Sequence, residues 1–522
     1  MRLIPDDPFP EIGHPYVTAV SADGRWLAVS CHATDGADHG RVVVYRTADL
    51  ALWDQLRLQE GVELLAFHPR LPVLAVGTEA GDEFERRGGL YLYEPGTRRR
   101  TGMTVAGAGV VHLRWRDARR LEVLFAEPVV DFADPGRNTH TRATVVRDDW
   151  SGVRAEDLAA PLGWPRAEIA VDWSRTEGPE IRHPQQYLAA LAADHGRAWN
   201  RRSGVALVES LRDGRVLAAL QTGTLLECWS PEGTLLWSVP EPEESFHRNG
   251  GHLYVSPDEE SAWVTVRYGD SGNPTTFLRR LSLADGSQLA EHKLDFPVAL
   301  AWRADGAWVA RDSRDIFPGP CRPPYDSVVY TPSGRRLAQV PLGESDRSFG
   351  LRVRRSPHLL VLRGYGEEGT RTEHLDKWVV RLSPAGVERL FPLSWDGTPG
   401  ASPHAGPAVY VDDAAGPGLV HACTVRRNDH LVRRAFPGGD PLWAHRFDSR
   451  VTDVDVHDGH LHAVTGGREL LTLHATDGTV VRRTPLTLGG HTYTPTCLTA
   501  AEDGRVVIGT VEGRLLTVPG RP

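Results

Sequence analysis

Short runs of alternating apolar and polar residues, broken by tight turns, recur along the whole chain. The clearest copies are "VSADGRWLAVS", "SLRDGRVLAAL", "WRADGAWVARD", "DVHDGHLHAVT" and "AAEDGRVVIGT". Asp-Gly between two apolar runs is a strong hairpin signal, because such turns need a positive φ that Gly adopts without steric cost. Degenerate copies fill the gaps: "AFHPRLPVLAVG", "LRWRDARRLEVLF", "YVSPDEESAWVTV", "VRRSPHLLVLRG" and "YVDDAAGPGLVHA". After each comes a second hairpin around a Gly or Pro turn, as in "CWSPEGTLLWSVP", "LSLADGSQLAEHKL", "YTPSGRRLAQVPL" and "LHATDGTVVRRTPL". Two hairpins make four antiparallel strands, and no helical period alternates with them as βαβ units require.

Ten such units are counted, with turns about 43 to 59 residues apart and one wider gap between the third and fourth, a spacing that fits four-stranded blades. The expected fold class is therefore all-β, a β-propeller of repeated four-stranded antiparallel blades. Ten units are counted and seven to ten blades fit, in one ring or two. Residues 151–203 interrupt the pattern with "RAEDLAAPLGW" and "HPQQYLAALAADHGRAW", both read as helices. Pro184 suits a first helical turn, and Tyr187, Leu188, Leu191 and Ala192 form one apolar stripe. The final unit supplies three strands, and "MRLIPDD" at the other end is the apolar segment available as a fourth. The expected division is 1–150 as closing strand and first three blades, 151–203 as helical insertion, and 204–522 as the remaining blades.

These repeats resemble the bacterial WD40-like and quinoprotein-like (PQQ-repeat-like) propeller superfamily across nearly the whole chain outside the insertion. That superfamily contains scaffolds, sensors and enzymes, so the resemblance implies a fold more sharply than a function. The usual Gly-His and Trp-Asp register of WD40 units is missing, although Trp53 and Asp54 sit together in "LWDQ". Quinone-dependent members are expected to carry adjacent cysteines, a calcium site and a catalytic Asp, and to be exported. Here Cys31, Cys228, Cys321, Cys423 and Cys497 are scattered, and no cofactor is implied. Trp237 in "CWSPEGTLLWSVP" reads instead as packing between neighbouring blades.

Composition narrows the function classes. Lys293 and Lys377 are the only lysines, so Arg supplies 57 of the 59 basic residues, the coding bias of a high-GC, actinobacterial genome and weak evidence for phosphate binding. A formal net charge of -9 argues against a general nucleic-acid binder. No apolar leader follows Met1 and no run of 18 apolar residues occurs, which leads to a cytoplasmic expectation without membrane contact. The cysteines lack C-x-x-C spacing and read as buried thiols, with no metal indicated. "HDGHLH" at 457–462 places His460 and His462 on one strand face, but its Asp-Gly is already a turn. "DGADHG" at 35–40 lacks the spacing and closing Glu of a calcium loop. There is no G-x-S-x-G, P-loop or H-E-x-x-H, so no catalytic residue is assigned.

Chain direction points to a partner surface. The first-to-second and third-to-fourth turns of each unit share one end of the ring and are tight. The second-to-third connections share the other end, and several are long: 31–40, 79–88, 127–140, 268–276, 312–326 and 364–376. They carry Phe84, Arg86, Arg87, Arg314, Phe317, Arg322, Tyr325, Tyr365 and Arg371, and aromatic and Arg side chains are the types that anchor interfaces. The expectation is a non-enzymatic scaffold or recognition subunit that binds a protein partner through this face. By resemblance, it would act in a multi-protein bacterial regulatory or defence system. The alternatives are an enzyme with its site at the channel mouth (lactonase-like hydrolase or quinoprotein-like oxidoreductase) and a small-ligand sensor.

Overall fold

The computed structural model describes residues 1–32, 40–80, 87–106, 108–126, 140–159, 183–241, 251–268, 275–294, 298–312, 326–342, 349–365, 377–383, 386–395, 404–425 and 428–520. Nearly all of the structure is antiparallel sheet. Among the described residues ten sheets of three or more strands follow one another along the chain, with a two-stranded ribbon at 487–492 before the last: sheet 1 (15–57), sheet 2 (61–106), sheet 3 (109–146), sheet 4 (205–240), sheet 5 (253–294), sheet 6 (298–341), sheet 7 (359–392), sheet 8 (404–447), sheet 9 (451–485) and sheet 10 (495–519). In the regular sheets the four strands lie in sequence order, which is what two successive hairpins produce. The chain is a β-propeller protein.

Two compact units divide the chain. One comprises Met1–Pro5, Ser203–Leu488 and Thr492–Pro522; the other comprises Asp6–Arg202 and Gly489–His491. In the first unit, sheets 4 to 10 form a closed cycle of seven, and each neighbouring pair shares its own apolar cluster. Leu217 and Cys228 of sheet 4 meet Leu253 and Val264 of sheet 5. Trp263 of sheet 5 meets Trp308 of sheet 6, and Val309 of sheet 6 meets Val361 of sheet 7. Leu362 packs with Leu419 between sheets 7 and 8, Val420 with Leu461 between 8 and 9, and Val464 with Ile508 between 9 and 10. Val507 and Leu515 of sheet 10 then meet Val205 and Val216 of sheet 4. Sheets packed on both faces make their inner strands near-continuously buried, as in Arg505–Thr510 and Glu469–His474, while outermost strands such as Leu235–Pro240 and Val480–Pro485 stay largely exposed.

The N-terminal segment belongs to this ring. Arg2–Ile4 pairs antiparallel with Leu515–Pro519, matching Leu3 to Leu516, and is the fourth strand of sheet 10. Trp237, on the fourth strand of sheet 4, lies against the last turn of sheet 5. There Gly286 has φ +76°, and a Cβ would come within 2.8 Å of the indole. Trp443 and Gly478 (φ +74°, 2.7 Å) repeat the arrangement between sheets 8 and 9. The turn glycines thus serve the interfaces between sheets as well as the hairpins.

Sheet 7 departs from the hairpin pattern. "VRRSPHLLVLRG" reads as two paired strands, but Arg352–Arg354 does not pair with Leu359–Gly364. It runs parallel to His404–Asp413 of sheet 8, matching Val353 to Ala408. The side chains of Arg352, Arg354 and the adjacent Arg355 reach the carboxylates of Glu209, Asp453 and Asp455, outside both sheets 7 and 8.

The second unit is a stack of three sheets. Sheets 1 and 2 share Val44, Leu56, Leu65 and Val76; sheets 2 and 3 share Ala75, Leu90, Val123 and Phe125. The other face of sheet 1 is covered by helix α2 (Pro184–Asp194) together with Phe9, Ile12 and Trp199. Leu188 and Ala192 are fully buried there, with Tyr187 and Leu191 beside them, so the predicted stripe is the packed face. The "RAEDLAAPLGW" helix is described only as α1 (Ala155–Ala159), whose Leu158 packs with Trp150 and Val153 against sheets 2 and 3. The rest of that stretch lies outside the described residues.

Candidate functional site

The first strands of neighbouring ring sheets contact one another, so they line the axis of the propeller. In sheet 7 the innermost position is held by Arg352–Arg354, and its arginines extend to sheets 4, 9 and 10 on the far side of the cycle. Arg354 donates through Nη1 to both carboxylate oxygens of Glu209 (2.7 and 2.6 Å) and through Nη2 to Asp453 (3.2 Å) and the Leu498 carbonyl (2.8 Å). Arg352 donates to the same Glu209 at 2.6 Å. Arg355 forks onto Asp455 (2.8 and 3.1 Å) and reaches the Ala500 carbonyl at 3.2 Å.

The two aspartates repeat one motif at two levels of the channel. Asp453 accepts the Leu498 amide and Asp455 the Ala500 amide, each at 2.9 Å, while the arginines take the carbonyls of those same two residues. Side chains therefore satisfy the inner backbone edge of sheet 10 where no further strand exists to pair with it. Asp455 is buried, which alone would raise its pKa, but Arg355 and Arg354 outweigh this and hold it at about 2. Burial likewise pulls against the charged Arg354, and Glu209, Asp453 and Asp455 reverse that, raising its pKa. Breaking a buried pair of this kind costs about 3–5 kcal/mol because an uncompensated charge is left behind.

This network bears on channel chemistry. Three carboxylates converge at the axis, the arrangement that would favour an enzyme if they faced a metal or a substrate. All three instead face guanidinium groups. A carboxylate held at about 2 carries no proton near neutral pH and is a poor general acid or base there.

The "HDGHLH" segment behaves differently at its two histidines. His460 is half-buried beside His474, with ring centroids 5.2 Å apart. His462 is buried, bonded to Thr472 Oγ1 at 3.3 Å, and burial depresses its pKa to about 4. Among the described residues no group of three or more His, Cys, Asp or Glu could hold a metal ion. Cys31, Cys228, Cys423 and Cys497 are buried, and Cys321 lies outside the described residues. No helix among the described residues is long and apolar enough to cross a membrane.

Of the nine residues expected on the long-connection face, Phe84, Arg86, Arg314, Phe317, Arg322, Tyr325 and Arg371 lie outside the described residues, as does "DGADHG" at its centre. Arg87 is exposed at the start of the third strand of sheet 2, opposite Ala80 and Ala106. Tyr365 follows the strand Leu359–Gly364 of sheet 7 and is half-buried. Its ring meets Trp378 edge-on at 6.2 Å and lies under Arg363 and Arg389, at 5.0 and 4.5 Å. Arg87 belongs to the three-sheet unit and Tyr365 to the ring. Sequence reading missed the arginine network: "VRRSP" looks like a polar hairpin edge, and the partners of Arg354 are about 100 and 145 residues away.

No family model matches the chain, and no curated protein does. Among solved structures, the chain is similar to U3-55K (10% identity, 60% of this chain and 90% of that one, TM-score 0.44). It is similar to the WD40 repeats of RRP9 (9%, 60% and 88%, 0.43). It is also similar to virginiamycin B lyase from Staphylococcus aureus (12%, 60% and 94%, 0.42).

Proposed function

We propose that this propeller is a non-enzymatic scaffold or recognition subunit that binds a protein partner through the end of its sheets carrying the second-to-third connections. The observation that carries this reading is the uneven length of those connections around the ring. They are short in sheets 4, 8, 9 and 10 (221–223, 426–427, 466–468 and 511–514) and long in the three consecutive sheets 5, 6 and 7 (269–274, 313–325 and 365–376). Turn chemistry alone would keep all seven short, and loops on a rigid scaffold are the usual seat of recognition. In the three-sheet unit the corresponding connections, 33–39, 81–86 and 127–139, are also longer than a hairpin needs. The neutralised carboxylates at the axis support a binding role over channel chemistry.

Phe84, Arg86, Arg87, Arg314, Phe317, Arg322, Tyr325, Tyr365 and Arg371 are the side chains to which we assign the partner contacts. The test is quantitative co-purification from the native host with the wild type and with a variant whose 313–325 segment is a short Gly-Ser linker. Loss of at least one abundant partner at an unchanged melting temperature is expected. Identical partner sets would overturn the reading.

A further inference from the structure

On the face of sheet 7 turned toward sheet 6, apolar packing gives way to a different surface at the long-connection end. Leu359, Val361, Val380 and Leu382 are buried in the cluster shared with sheet 6. Two residues further along the same strand faces stand Arg363 and Trp378, directly paired in register, with Tyr365 beyond them and Arg389 beside them on the outer strand. The Arg389 guanidinium lies 3.5 Å from the centroid of Trp378 and 4.5 Å from that of Tyr365, and Arg363 lies 5.0 Å over the other ring contact at Tyr365. Arg389 is exposed and Arg363 half-buried.

Neither arginine has an ion-pair partner among the described residues, and the adjacent carboxylate, Glu388, is already taken by Arg381. This is unusual in a chain whose net charge is -9 and whose other Arg side chains so often sit on Asp or Glu. A guanidinium lying over an aromatic ring keeps its charge and its in-plane N–H edge, and stacking fixes its orientation in advance. The edge is then free for a bidentate carboxylate, with less side-chain entropy left to lose on binding.

We propose that Arg363, Tyr365, Trp378 and Arg389 form a docking platform for an acidic, Asp/Glu-rich segment of the protein partner. This rests on the recognition reading above and adds the chemistry of what is recognised. Charge complementarity selects the occupant. A nucleic acid would use aromatic faces for base stacking, but the Trp378 face is covered by Arg389 at 3.5 Å, and two cations are a short track for a polyanion.

The probe is a fluorescein-labelled deca-glutamate peptide, followed by anisotropy with the full chain at low salt. Binding is expected, weakened at least tenfold by Arg389→Glu and by Arg363→Glu, and weakened several-fold by Arg389→Lys, which keeps the charge but loses the planar stack. Melting temperatures confirm that each variant is folded; Arg389→Lys, the mildest change, keeps the test open if a charge reversal unfolds the sheet. No binding by the wild type, equal binding by the reversal variants, or tighter binding of a ten-residue oligothymidylate than of the peptide would overturn the proposal. A partner that survives Arg389→Glu but is lost on replacing 313–325 would overturn this platform and leave the recognition reading standing. A partner lost in neither would remove both.

Discussion

The seven-sheet ring and the three-sheet stack are built from the same four-stranded repeat, yet they solve the problem of exposed sheet faces in opposite ways. In the ring each apolar face meets the next sheet, the last interface being Val507 and Leu515 against Val205 and Val216, so no sheet needs a cap. What remains is an axis, and it is filled with arginine–carboxylate pairs. The stack has two ends instead. At one end α2, Phe9, Ile12 and Trp199 cover the free face of sheet 1. At the other, the far face of sheet 3 carries Glu122, paired with Arg116, and on the same face Leu124 and Ala126 are buried. A repeat that closes invests its special residues at the centre; one that does not close invests them at its ends.

The sharpest way to break this contrast is to damage the centre. Arg354→Ala should destabilise the ring by about 3–5 kcal/mol, because Glu209 and Asp453 are left buried without their partner. Hydrogen exchange should show faster opening in sheets 4, 9 and 10. Unchanged protection there would mean that the axis network is incidental to ring stability.

Damage to the end cap should act on the stack. Leu188 is fully buried, and Leu188→Ala should cost about 2–5 kcal/mol through lost burial and the cavity left behind. The loss of protection should appear in sheet 1 first. If the amides of Trp26–His32 exchange no faster, α2 is not the cap proposed.

Acid should weaken the ring through two buried histidines. His421, fully buried, has its pKa pressed down to about 3 by burial and by Arg434, and His462 to about 4. Both are neutral when folded and take up a proton below about 6.5 when unfolded. Their contribution is therefore complete above pH 6.5 and is lost as pH falls toward those values, about 2 kcal/mol for each by pH 5. Comparing chemical denaturation at pH 7 and pH 5, His421→Leu should remove about half of the loss due to the pair. An unchanged pH dependence would show that His421 is not held neutral.

The smallest effect concerns the turns. Gly286→Ala should cost at least about 1–2 kcal/mol from its left-handed backbone alone, with the contact to Trp237 added. Gly416 also has a positive φ but nothing within 4 Å, so Gly416→Ala should cost only the backbone part. Equal melting temperatures for the two variants would show that the Trp237 contact relaxes freely.

Part of this organisation was legible in residue order. Asp-Gly and Pro-Gly turns, apolar alternation and the Tyr187–Ala192 stripe are local signals, and the hairpins, the four-stranded sheets and the packed face of α2 follow from them. Tyr365 was singled out as an anchor for its residue type, and the structure adds the two arginines stacked on it; Arg389 was invisible because "GVERL" is an ordinary strand.

Residue order by itself thus determined the repeating unit, since each hairpin closes between neighbours in the chain and its energetics are settled within about a dozen residues. Only the tertiary structure decided that seven units close while three stack, because that depends on which apolar face meets which. It also decided that Arg352–Arg354 leaves its own hairpin for sheet 8. A strand takes the pairing that satisfies its side chains as well as its backbone, and the carboxylates that satisfy Arg354 lie about 100 and 145 residues away.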